Sequence, residues 1–267
     1  MINYIVYSNS SYLDVLEIQT DHIKNIGNVT LFIDENNKDL KYIYKNYDNV
    51  IFYKNSEPYS ERLFNCLKQY EHDYFLLIHD IDILLDTNDS KLKNILDFMV
   101  KNKIDRVDLK YGELVKSSSI VNITNDDTNE WSEISGGDMA EGLFMVKQET
   151  PSNYIYNVNP SFWLKSTLLD ITGKFKDKTY RNIEGDDVQW YSTNFNIYRL
   201  HSNRYKKCGY YNCTDVFVFL HISHNGKFLP LNETKTTVYG QSYEDIYSTY
   251  IDMVNKYDLK KSDKWII

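Results

Sequence analysis

Tyr74-Phe75-Leu76-Leu77-Ile78-His79-Asp80-Ile81-Asp82-Ile83-Leu84-Leu85 is the stretch from which the rest of the sequence is read. Residues 74–78 are apolar at consecutive positions rather than alternate ones, the pattern of a strand buried on both faces. Asp80 and Asp82 follow, and the chain turns apolar again at Ile83. Carboxylates wedged between buried segments need a compensating partner. With one residue between them, the two meet near one point when the chain turns at a strand end, and there they repel each other. A divalent cation relieves that repulsion and keeps open positions for diphosphate oxygens. The plainer alternative is a solvated acidic turn.

Upstream, short apolar runs alternate with amphipathic stretches. Strands are predicted at Tyr4-Ile5-Val6-Tyr7, Val29-Thr30-Leu31-Phe32-Ile33 and Val50-Ile51-Phe52-Tyr53. Between the first two, residues 12–26 carry Leu13, Leu16, His22 and Ile23 at helical spacing; residues 40–47 suit a short helix. Residues 58–70 open with Pro58 and place Leu63, Leu67 and Tyr70 on one face, as a helix does. The resulting order, β-α-β-α-β-α-β, predicts an α/β fold with a mixed, mostly parallel sheet flanked by helices. Ligands of such sheets bind beyond the carboxyl ends of the strands. Chemistry is therefore sought at Ser8-Asn9-Ser10, Asp34-Glu35, Lys54-Asn55 and His79-Asp80-Ile81-Asp82.

Downstream, residues 89–102 read as a helix capped by Asn88 or Asp89, and residues 106–109 as a strand. Residues 115–141 are irregular and rich in Ser, Asn, Asp and Gly, the composition of a functional or mobile loop. A helix is predicted around residues 162–169, ending near Gly173. Val216-Phe217-Val218-Phe219-Leu220 is a further buried strand, and residues 242–257 form a last helix.

Residues 75–84 resemble the strand and DxD motif of GT-A fold glycosyltransferases, and residues 59–70 resemble the helix that precedes it in that family. The resemblance runs through residues 2–100 in element order, and two shorter motifs extend it. It implies a Rossmann-like GT-A domain and transfer of a sugar from a nucleotide diphosphate donor, UDP by the family's habit, to a glycan, protein or other hydroxyl acceptor. It divides the chain into a nucleotide-sugar-binding half (1–100), an irregular acceptor-binding and catalytic half (101–235) and a helical tail (236–267). Tyr7, Ser8 and Asn9 then hold the nucleoside, Asp34 contacts base or ribose, Arg62 reaches donor phosphate or sugar, and Asp80 and Asp82 bind Mn²⁺ or Mg²⁺. The usual Asp-Asp-x-Ser form is missing at Asp34, and a surface salt bridge accounts equally well for Arg62.

Glu184-Gly185-Asp186-Asp187-Val188-Gln189-Trp190 resembles the acidic motif that opens a helix in inverting members. There a carboxylate accepts the acceptor's proton, which makes Asp187 the first candidate base and Asp186 the second. Acids also favour any helix N-terminus. His221-Ile222-Ser223-His224-Asn225-Gly226-Lys227 resembles the late histidine that completes the metal shell and the basic residue that pairs with diphosphate, here Lys227. On a strand His221 and His224 face opposite ways, so one of them meets the metal; His221 is favoured, with His224 as the alternative. The segment 157–163 resembles the acceptor side, and implies that Trp163, Trp190 and Glu184 contact the acceptor; core packing is the plain account of both tryptophans.

Composition narrows the partners. A net charge of -8 argues against nucleic acid and anionic membrane as partners. No apolar run approaches the ~20 residues that span a bilayer. With no signal segment and three cysteines at no ligand spacing, the expectation is a cytoplasmic protein with free thiols. Three rivals remain. A haloacid-dehalogenase-type phosphatase needs Thr two positions after the second Asp, where this chain has Leu84. A nucleotidyltransferase needs a glycine-rich loop after the first strand, where it has Ser8-Asn9-Ser10. A non-catalytic sugar- or Ca²⁺-binding module would account for the aromatics and acids without turnover.

Overall fold

A computed structural model describes residues 1–24, 26–37, 40–109, 120–122, 131–132, 143–147, 156–179, 182–183, 195–202, 206–208, 211–214, 216–224, 227–228 and 244–262. The first half alternates as the apolar pattern predicts: β1 (Tyr4–Tyr7), α1 (Leu13–Ile23), β2 (Val29–Asp34), the one-turn α2 (Lys41–Tyr44), β3 (Asn49–Tyr53), α3 (Tyr59–Gln69) and β4 (Tyr74–His79). These four strands lie parallel in the order β3-β2-β1-β4.

The sheet continues into the second half of the chain. β6 (Arg106–Asp108), β7 (Ile120–Asn122), β8 (Trp131–Ser132), β9 (Leu143–Lys147), β10 (Ser161–Leu164) and β11 (Ile197–Ser202) extend it in the order β4-β10-β6-β11-β9-β7-β8. Here only β6 and β11 run parallel; the other pairs are antiparallel. The fold is thus α/β with a mixed sheet, parallel where the alternating strand–helix pattern holds.

Alternation along each strand splits the core into two layers. Tyr4, Val6, Leu76, Ile78 and Phe162 point to one face and join α1, α4 (Asp89–Asn102) and α6 (Glu244–Lys256). Ile5, Phe75, Leu77 and Trp163 point to the other and join α3 and α5 (Lys165–Lys174). A strand buried from both sides has no polar face to show, which is why residues 74–78 are continuously apolar. On the first face β5 (Asp82–Thr87) pairs antiparallel with β14 (Phe217–His221), a separate ribbon against α1.

Asn88, rather than Asp89, caps α4, its side chain accepting the Lys91 N–H at 3.1 Å. Residues 162–164, predicted as the start of a helix, belong with Ser161 to β10 instead. Wedged antiparallel between β4 and β6, they send Phe162 and Trp163 to opposite core layers, a demand that comes from distant strands. α5 ends at Lys174, near Gly173 as expected, and a Cβ at Gly173 would meet the Phe64 ring at 3.1 Å, so α3 and α5 pack closely. β7 and β8 interrupt the stretch read as irregular; they pair with each other and with β9. β12 (Lys206–Cys208) and β13 (Tyr211–Cys213) form a small ribbon, as do β15 (Ser223–His224) and β16 (Lys227–Phe228). Among the described residues no helix is long and apolar enough to cross a membrane.

Leu76 is fully buried on a strand paired on both sides. Leu76→Ala is expected to cost about 2–5 kcal/mol of unfolding free energy, measured by denaturant titration.

Candidate functional site at the carboxyl end of the central strands

β1 and β4 are neighbours, and the chain leaves both at the same edge. The Asp80 N–H donates to the Tyr7 carbonyl at 3.0 Å, which extends the β1–β4 ladder by one rung. The Asp80 carboxylate turns toward the loop after β1, where Ser8 Oγ donates to it at 2.5 Å. The backbone N–H groups of Asn9 and Ile81 also reach it. Asp80 is 5% exposed. Burial raises its pKa to about 7, the Asp82 charge adds to the rise, and the hydrogen bonds from Ser8, Asn9 and Ile81 work against it.

Asp82 opens β5 and is 1% exposed. The β5–β14 register sets it opposite His221, and His221 Nδ1 lies 2.7 Å from its Oδ1. The Ile222 N–H donates to the Ile81 carbonyl at 3.0 Å and clamps the ribbon beside the aspartate turn. The structure therefore joins His221 to the motif, while the His224 side chain lies outside the described residues.

The two aspartates have separate partners. Among the described residues no three His, Cys, Asp or Glu side chains converge to hold an ion by themselves. Asp82 and His221 thus form one contact pair, and Asp80 is held beside it against the loop after β1. The physical reason is the backbone: the turn at Ile81 gives Asp80 to β1 and Asp82 to β14.

Other expected residues fall as follows. Asp34 is fully buried, and its carboxylate accepts the N–H groups of Ser10 at 2.5 Å and Asn36 at 3.1 Å. It ties together the loops that follow β1 and β2. Trp163 is also fully buried, its ring 4.7 Å from the Arg106 guanidinium carbon, which is the core packing that was its plain account. The Tyr7 ring stacks on Tyr53 with centroids 5.3 Å apart and meets Tyr59 edge-on. Asn9 Nδ2 donates to Asn55 Oδ1 at 3.0 Å at the exposed rim. Arg62 donates to the carbonyls of Glu57 and Asn55 and covers the Tyr53 ring, tying down the loop between β3 and α3. Lys227 is exposed on β16, its backbone opposite His224. Glu184, Asp186, Asp187 and Trp190 lie outside the described residues.

Two buried polar groups were not anticipated. His79 Nε2 lies 3.2 Å from the Tyr59 hydroxyl, which lies 2.8 Å from that of Tyr156. Burial lowers the His79 pKa to about 3, so the ring is neutral. Around β6, Arg106 is 3.3 Å from the Asp108 carboxylate, and Asn157 bonds to both. A charged pair flanking one apolar residue, as in Arg106-Val107-Asp108, puts both charges on one face of a strand and was the available signal.

No protein-family model matches the chain, and no curated protein does. Among solved structures it is similar to a cytidylyltransferase from Leptospira borgpetersenii, at 10% identity and a TM-score of 0.47 over 100% of this chain and 98% of the other. It is similar to a nucleotidyl transferase from Methanothermobacter at 10% identity and a TM-score of 0.47, over 98% and 99%. It is also similar to residues 1–349 of S. aureus TarS at 13% identity and a TM-score of 0.42, over 97% and 74%. At these values the fold rests on the strand order of the chain itself, and the chemistry on its side chains.

The raised Asp80 pKa has a definite sign. Between the ordinary 3.8 and about 7 the folded protein keeps a proton that the unfolded chain has lost. Without divalent cation, stability falls as pH rises through that window, by at most about 1.4 kcal/mol per pH unit. Asp80→Asn is expected to be more stable than the native chain at pH 8 and about equal to it at pH 4, read from thermal melts in EDTA.

Proposed function

We propose that the chain is a divalent-cation-dependent glycosyltransferase that moves a sugar from a nucleoside diphosphate donor, UDP by resemblance, to a hydroxyl on a glycan, protein or other acceptor. The observation that carries this is the meeting of Asp82 and His221, 139 residues apart in sequence, beside Asp80 at the carboxyl end of β4. A carboxylate and an imidazole are donors that suit a hard cation such as Mn²⁺ or Mg²⁺. A pair rather than a converged triad fits an ion that arrives with its substrate, since such ions are commonly held by one or two carboxylates plus phosphate oxygens. When bound, the ion neutralises charge developing on the departing diphosphate.

The chain's own residues supply the rest. Asp82 and His221 hold the ion, and Asp80 gains a counter-charge that its buried position lacks. Ser8 and Asn9 carry the β1 loop against Asp80, where the nucleoside would lie. Arg62 and Lys227 offer positive charge to the diphosphate. By resemblance, Asp187, with Asp186 as the alternative, is assigned the acceptor's proton, and Glu184 and Trp190 are assigned to acceptor binding.

Calorimetry tests the first part. UDP is expected to bind with Mn²⁺ present and weakly in EDTA, and Mn²⁺ alone is expected to bind weakly. Asp82→Ala and His221→Ala are each expected to abolish the metal-linked share of UDP affinity; unchanged affinity in both variants refutes the assignment. Asp187→Asn is expected to keep donor affinity and lower transfer by about 10²-fold or more. Pyrophosphate release from a nucleoside triphosphate and a sugar phosphate, with no turnover of nucleotide sugars, would assign a nucleotidyltransferase instead.

A further inference from the structure

The segment 156–160 enters β10, and β10 runs antiparallel to β4 with Ser161 opposite Leu77. Residues preceding Ser161 therefore lie alongside the end of β4, where His79 and Asp80 emerge. This segment forms the side of the site toward the second half of the chain, and buried polar contacts hold it at several points. The Tyr156 hydroxyl meets that of Tyr59 at 2.8 Å, and Tyr59 in turn meets His79, the residue before Asp80. The Asn157 Oδ1 accepts from Arg106 at 2.7 Å and from the Asn159 N–H at 3.0 Å, while its Nδ2 donates to Asp108 at 3.1 Å. The Pro160 carbonyl accepts the Leu109 N–H at 3.0 Å. Ser161 Oγ accepts from Arg106 at 2.9 Å and donates to the Asn159 carbonyl, also at 2.9 Å.

Arg106 is fully buried and Asp108 is 2% exposed. Buried ion pairs are poor sources of net stability, and well-packed apolar groups often serve as well. What they supply is geometry. Arg106 presents a planar fork, and Asn157 has one acceptor and one donor, each matched to a different charge. Rotating the Asn157 amide by half a turn would set its NH₂ against Arg106 and its oxygen against Asp108, so only one orientation is allowed. That orientation points the Asn157 oxygen at the Asn159 N–H and fixes the turn of the segment.

We infer that Asn157 is a positioning residue: held between Arg106 and Asp108, it sets the acceptor-side wall next to Asp80 while taking no part in holding the donor. The inference rests on the glycosyl-transfer reading of the site for the meaning of that wall, and its geometry can be tested apart from that reading. Asn157→Ala removes the bridge; Tyr156→Phe removes a single hydroxyl from the other anchor and keeps the packing should the first variant fold poorly. Amide hydrogen exchange on the full-length chain without ligand is expected to be at least tenfold faster at Leu109 in Asn157→Ala, with the exchange of β1 and β2 unchanged. In Tyr156→Phe exchange is expected to quicken at Asn157 to Asn159 alone. UDP affinity with Mn²⁺ is expected to stay within twofold of the native value in both. With any nucleotide sugar that the native chain turns over, the ratio of transfer to a saccharide over hydrolysis by water is expected to fall at least tenfold in Asn157→Ala. A general loss of stability would lower both reactions together and leave that ratio in place. Unchanged exchange at Leu109, or exchange that quickens equally in β1 and β2, overturns the inference, as does a loss of UDP affinity in step with the loss of transfer. A native chain that binds no UDP with Mn²⁺ refutes the donor assignment; the exchange results then decide the positioning role alone.

Discussion

A carboxylate buried where two parallel strands end is the constraint on which this site depends. Asp80 sits past the last rung of the β1–β4 ladder, with the Tyr7 carbonyl taking its N–H and Ser8 donating to its side chain. Water solvates an exposed aspartate at no cost to folding, but this one has exchanged water for three donors and a second carboxylate nearby. The fold retains it at the expense of stability at neutral pH. Such retention has a physical rationale if a cation and its phosphates complete the coordination.

The second constraint is a strand pairing. β5 follows the Asp80-Ile81-Asp82 turn directly, but β4 is already paired with β1 on one edge and β10 on the other, so β5 has no free edge of β4 to join. It leaves the main sheet and finds β14, more than a hundred residues later, as its partner. Its inward residues Ile83 and Leu84 and the β14 residues Phe217 to Leu220 join the core layer of α1 and α4. The hydrophobic burial of that ribbon, on the order of 1.5–3 kcal/mol for each large side chain, is what holds His221 against Asp82. The Asp–His contact is thus a consequence of apolar packing rather than its cause.

The third is the polar seam around β6. Parallel and antiparallel halves of the sheet meet across β10 and β6, and that junction carries Arg106, Asp108, Asn157 and Ser161, all buried. Trp163 covers the guanidinium there, so the tryptophan's apolar bulk and the ion pair shield each other from water. Trp163, for which core packing was the plain account from sequence, thereby insulates the network that orients the neighbouring segment.

The sequence by itself determined the first half of the fold. Continuous apolar runs at Tyr4, Val29, Val50 and Tyr74, with amphipathic stretches between, are local signals set by the period of each element, and they located β1 to β4, α1 and α3. The strand-end placement of Asp80 and Asp82 was legible for the same reason. Only the tertiary structure decided that Asp80 belongs to the β1 loop and Asp82 to His221, that Asp34 is spent on backbone N–H groups, and that residues 161–164 are a strand. Each of those outcomes depends on a partner far away in sequence, and a window of neighbouring residues holds no record of which strand will lie alongside.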